Sequence, residues 1–150
     1  MSAPQWSAFV TALVSALDAA LDVDVYDGPT VSGSDAASCV VIGARFDDDD
    51  TDSGRFSLEY RTDGGASATM DETLNVNCAL RYWLGDPDIA AARAGAFALL
   101  EDISDTLRGN ASLGVAVLLW CHVSVGDVSQ ELISGAQVTV NFTITARAII

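Results

Sequence analysis

The stretch Leu113–Ile150 reads LGVAVLLWCHVSVGDVSQELISGAQVTVNFTITARAII, and it decides the fold. From Ala136 onward every second residue is apolar: Ala136, Val138, Val140, Phe142, Ile144, Ala146, Ala148 and Ile150. Between them stand Gln137, Thr139, Asn141, Thr143, Thr145 and Arg147. In Val115–Val125 the odd positions behave alike, with Val115, Val117, Leu119, Cys121, Val123 and Val125. Successive side chains of a strand point to opposite faces. Alternation this long therefore means two strands of a sheet with one face buried, joined by a turn.

The material to cover that face lies upstream. Trp6, Phe9, Val10, Leu13, Val14, Leu17, Ala20 and Leu21 recur at helical spacing, which predicts a helix over Ser2–Leu21 with Ser2 and Gln5 at capping-box spacing. A second stripe, Ile89, Arg93, Ala96, Phe97, Leu100, Ile103 and Leu107, predicts another helix. Asp86 would cap it, Pro87 would open it and Gly109 would close it. Val23–Asp27 reads as a short strand ended by Asp27-Gly28-Pro29. Ser38–Ala44 carries the unbroken run Cys39-Val40-Val41-Ile42, which suits a central strand. Glu72–Trp83 alternates again, with Leu74, Val76, Cys78, Leu80 and Tyr82 on one face. Between these two strands, Phe46–Met70 reads as a projecting loop or hairpin, because it opens with Asp47, Asp48, Asp49, Asp50 and Asp52 and contains the turn signal Asp63-Gly64. The expected fold is a single α+β domain with a mostly antiparallel sheet of four to five strands and two helices on one face.

Charge excludes several partners. The chain has 21 acidic and 7 basic residues, all Arg, for a net charge of −14. Binding of nucleic-acid phosphates needs a basic patch, and anionic membranes need the same. No apolar run is long enough to span a bilayer, and no basic residue precedes Arg45 as a signal sequence would require. Cys39, Cys78 and Cys121 are far apart and odd in number, which fits buried thiols rather than disulfides or a zinc site.

Motifs of catalysis fail on single residues. Gly28 and Gly33 have phosphate-loop spacing, but Ser34 stands where Lys must. Asp48, Asp50, Asp52 and Glu59 match four positions of a calcium loop, but Ser53 replaces its obligatory Gly. His122 is the only histidine, with Ser124 near it and no nucleophile elbow. Asp71 and Glu72 are neighbours on a strand and so point apart. No catalytic residue, metal or cofactor is expected. One feature asks for more: Leu118 and Trp120 fall on the outer face of the strand Val115–Val125, and Trp83 lies on the outer face of its own strand. They are either scattered exposed hydrophobes or an interface to another subunit.

The ordered set of segments resembles the tail terminator proteins of long-tailed phages, in their actinobacterial-phage form. The carrying residues are the leading helix, Val25-Tyr26-Asp27-Gly28-Pro29, Val40-Val41-Ile42-Gly43, Asp71-Glu72 with Leu74–Cys78, Gly85-Asp86, the helix Ile89–Leu107, Leu113-Gly114, and Gly135-Ala136 before Val138–Ala146. The resemblance implies a homohexameric ring at the tail–neck junction of a virion, assembled in the host cytoplasm. Such a ring caps the tail tube, stops its polymerisation and docks the head-completion protein of the neck, while DNA passes through its lumen without specific binding. On that reading Leu118, Trp120 and Trp83 are expected at a subunit or partner contact. The acidic loop with Asp47, Asp48, Asp49, Asp50 and Asp52 is expected at the lumen or the tube-facing rim. Another neck or tail ring component, or a small α+β ligand-binding domain or enzyme, are the alternatives.

Overall fold

The computed structural model describes residues 4–28, 38–46, 53–60, 69–132 and 135–150. Its elements are α1 (Trp6–Ala20), β1 (Asp24–Asp27), β2 (Cys39–Ile42), β3 (Gly54–Tyr60), β4 (Met70–Leu84), α2 (Ile89–Gly109), β5 (Leu118–Leu132) and β6 (Ala136–Ile149). The strands form one sheet in the order β1-β2-β4-β6-β5, with β3 also paired to β4. Only the β1–β2 pair is parallel; the other four pairings are antiparallel.

The sheet has six strands rather than four to five, and the added one is β3. The acidic run before Arg55 favours reading Phe56, Leu58 and Tyr60 as part of a projecting loop or hairpin. What places them in the sheet is the length of β4. The four residues of β2 pair only with Cys78–Arg81, leaving the first half of that β4 edge without backbone partners. β3 takes up that half, against Met70–Val76. At the seam, Gly43 N–H donates to Asn77 O at 2.8 Å and Asn77 N–H to Ser53 O at 2.9 Å, so the ladder runs on without a gap. Asp47, Asp48, Asp49, Asp50 and Asp52, with Ser2, Gly33 and the Asp63-Gly64 turn, lie outside the described residues.

The core is what the alternation foretells. Leu74, Val76, Cys78 and Leu80 of β4 meet Val138, Val140, Phe142, Ile144 and Ala146 of β6, all buried on one face. Phe9, Leu13 and Leu17 of α1 and Ala92, Ala96, Ile103 and Leu107 of α2 close over them in one apolar cluster. Burying a large aliphatic side chain stabilises by about 1.5–3 kcal/mol, so this layer dominates the fold. Tyr82 of β4 lies directly under Gly95 of α2, where a Cβ would enter its ring.

The helix starts differ from expectation. Asp88, not Asp86, caps α2, its Oδ1 accepting Ala91 N–H at 3.1 Å. Asp86 instead offers its carbonyl to Ala136 N–H at 3.1 Å, which ties the start of β6 to the helix entry. Gly109 remains helical and Asn110 is the C-cap. Gln5 is the N-cap of α1 without a side-chain cap bond. The Gln5 N–H is met from across the fold by Glu72 Oε1, at 2.7 Å. Glu72 is fully buried, and a carboxylate at a helix N-terminus is favoured by the helix dipole.

β5 breaks the simple alternation. The strand begins at Leu118, while residues 111–117 form turns, with Leu113 at φ 50°. A register shift between Leu118 and Trp120 then pairs Leu118 with Ala148 and Trp120 with Arg147. Leu118 is thereby turned into the core, at 4% exposure, and the outward placement expected for it is wrong. Leu119, expected on the core side, is the extra residue of this bulge and is half exposed. A bulge of one residue flips every side chain beyond it, and period-two counting does not see it.

Candidate interaction surface

The side chains with possible chemistry do not converge. Asp71 faces outward and pairs with Arg147, Oδ2 to Nη2 at 2.9 Å. Its neighbour Glu72 points into the core toward α1. His122 stacks flat on Trp120, with ring centroids 4.9 Å apart and planes 1° from parallel. Ser124 Oγ donates to Thr143 O at 3.2 Å and accepts from Thr145 Oγ1 at 2.8 Å, so it is engaged away from the imidazole. Thr145 Oγ1 also lies 2.8 Å from Asn75 Oδ1, which extends this polar net across β5, β6 and β4. Among the described residues no group of three His, Cys, Asp or Glu is placed to hold a metal ion, and no helix is long and apolar enough to cross a membrane.

The cysteines are free thiols inside the protein. Burial pushes Cys78 up to about 12 and Cys121 up to about 11, and it raises Cys39 as well. A thiol is a nucleophile only as thiolate, so these are packing residues.

Among the described residues large apolar side chains stand exposed on β3, β4 and β5, and Phe97 does so on α2. Trp120 is 37% exposed beside His122, and Leu119 is 49% exposed next to it. Trp83 is also 37% exposed, but it pairs with Gln137 while Trp120 pairs with Arg147. These are opposite ends of β6, roughly 30 Å apart at the rise of a strand. Trp83 and Trp120 therefore do not share a patch.

A second apolar row lies on β3, in the stretch expected to be a projecting loop or hairpin rather than a contact surface. Phe56 is 50% exposed, Leu58 36% and Tyr60 68%. They lie on the helix side of the sheet, opposite Leu74, Glu72 and Met70, but neither helix reaches over them. Trp6, at the start of α1, stops beside Ser53, Gly54, Arg55 and Phe56 and lines with them an open cleft of ≈ 380 Å³. The alternation of Phe56, Leu58 and Tyr60 was legible in the chain. That no helix covers it is a fact of helix length and placement. A contiguous apolar row at a sheet edge marks an interaction site or an aggregation hazard.

No family model and no curated protein matches this sequence. Among solved structures, a chain in the virion of a native gene transfer agent particle is similar in fold, with a TM-score of 0.63. The two are 17% identical, and the likeness covers 99% of this chain and 100% of that one. At that identity what is shared is the fold, from end to end.

Proposed function

We propose that this chain is a structural subunit of a virion and, more finely, that it acts as a tail terminator. It forms a ring, of six copies, that caps the tail tube, stops its growth and offers the neck its docking surface. The observation that carries this reading is the fold likeness to a chain of a gene transfer agent virion, which covers 99% of this chain and 100% of that one. The ordered sequence resemblance to tail terminators supports the finer role. The exposed strand rows support assembly, since a chain with Phe56, Leu58, Tyr60, Leu119 and Trp120 at its surface gains by covering them. The net charge of −14 suits a wall that DNA passes without adhering.

The test is tail assembly with and without the protein, viewed by electron microscopy and paired with mass measurement in solution. Tails of uniform length bearing a terminal ring are expected when it is present, and overlong uncapped tubes when it is absent. Tails of equal length in both cases would refute the terminator role. A stable monomer that binds a small molecule would favour a ligand-binding domain instead.

A further inference from the structure

We propose that the contact between neighbouring copies is a strand addition, in which β3 of one copy pairs antiparallel with β5 of the next and the sheet runs on from subunit to subunit. This rests on the ring reading above and names the surfaces that build it.

Among the described residues both strands lie at an edge of the sheet: β3 pairs only with β4, and β5 only with β6. The β3 groups left over can be identified. Ser53 O accepts Asn77 N–H, so in an antiparallel ladder Arg55, Ser57 and Glu59 direct their backbone groups at β4. Phe56, Leu58 and Tyr60 then direct theirs at the open edge. Their side chains are the exposed apolar row, so backbone and side chains invite the same partner.

The geometry supplies that partner within the chain itself. Reading across the sheet, one row runs Phe56, Leu74, Ala146, Cys121, and the next outer row runs Ser57, Thr73, Arg147, Trp120. A rotation about an axis along the strands keeps every row at its height. It brings β3 of one copy to the level of Leu118–Val123 of the next, so that Phe56 continues the helix face beside Cys121, Ser57 continues the outer face beside Trp120, and the exposed Leu119 lies at the same end of β5. Three antiparallel steps separate β3 from β5, so the two meet antiparallel. Joining one edge to a different edge is a heterologous contact, the kind that closes into a ring when its rotation divides the full turn.

Charge selects a second copy as the occupant. Two chains of net charge −14 repel, and contact between them costs least where acids are few. Residues 54–60 carry one acid and one base, Glu59 and Arg55, and residues 118–126 carry none of either. In a chain with 21 acids both of these edges are close to neutral, so neither repels the other. A basic partner would instead be drawn to the acidic remainder.

The test is complementation between two broken edges. Leu58→Pro removes an outward N–H and keeps the ladder to β4, since proline is tolerated where the N–H faces away from the sheet. Phe56→Ser with Tyr60→Ser removes the apolar row without touching the core. Leu119→Glu with Trp120→Glu charges the other edge. Sedimentation should show each variant folded and monomeric, with the assembly midpoint raised at least about tenfold. A mixture of a β3 variant with the β5 variant should form dimers and nothing larger, because each pair keeps one sound contact. If the β5 variant self-associates as well as wild type, or if wild type assembles and Leu58→Pro assembles with it unchanged, the strand addition is wrong while the ring stands. A wild type that remains monomeric, alone and on tail tubes, overturns both.

Discussion

Replacing Gly95 by Ala tests how α2 is seated on the sheet. In an exposed helix interior the change stabilises by about 1 kcal/mol, because glycine loses more backbone freedom on folding. Here the new methyl would stand inside contact with Tyr82 Cε1 and Cζ and 2.9 Å from Cε2. Either the ring swings out and gives up its packing under α2, or the helix rises and loosens Ala92, Ala96 and Leu99. Overpacking of this kind costs about 1–3 kcal/mol, which exceeds the helix gain. The expected net effect is a loss of about 1 kcal/mol, or about 2–4 °C in Tm for a domain of this size. In a Tyr82→Ala background the clash is gone, and the same substitution should stabilise by about 1 kcal/mol. Urea denaturation of the four proteins at one low concentration, where assembly adds nothing, gives a coupling of about 2 kcal/mol between the sites. If Gly95→Ala stabilises the wild-type protein, or the coupling is zero, helix and strand do not approach as described.

The thiols give a pH dependence. Cys78 at about 12 and Cys121 at about 11 keep protons in the folded state that unfolded thiols, near 9.0, release. Their contribution is complete below pH 9 and is lost as pH rises toward those values; Cys78→Ala should flatten that decline in a stability–pH series, and iodoacetamide at pH 8 should label either thiol only through opening of the fold. Asp47–Asp50→Asn should tighten ring formation at low salt and lose that effect at high salt, as mutual repulsion around an axis requires. Weaker tube binding would assign the loop to docking, and no change in either would remove it from the assembly. Trp120→Ala should weaken assembly by ~2 kcal/mol or more while leaving subunit melting nearly unchanged, and a sharp fall in Tm with assembly intact would return Trp120 to the core.

The sequence carried the core and missed the edges, for one physical reason. Leu74 to Leu80 and Ala136 to Ala148 are buried by elements that the chain itself supplies, so their alternation and their burial agree. Phe56, Leu58 and Tyr60 alternate equally well and are exposed, because burial depends on whether a helix reaches that far. The divergence of Asp71 and Glu72 follows from strand geometry alone and is present in the structure. The face of Leu118 could not be read, since a bulge leaves no mark in period-two counting and here separates Leu118 from Trp120. The α2 cap at Asp88 was missed because Asp86-Pro87 offers an equally good signal two residues earlier.

The place of β6 governs how this protein reaches its structure. It is the last element in the chain, yet it lies between β4 and β5 and hydrogen-bonds to both. β4 precedes β6 in the chain by the whole of α2 and β5, so Leu74, Val76 and Leu80 gain their β6 neighbours only when the last strand pairs. Pairing so distant in sequence is slow, since loop closure must precede the gain from contact. Until β6 pairs, that apolar strand edge is the part of the folding chain most open to association with other copies.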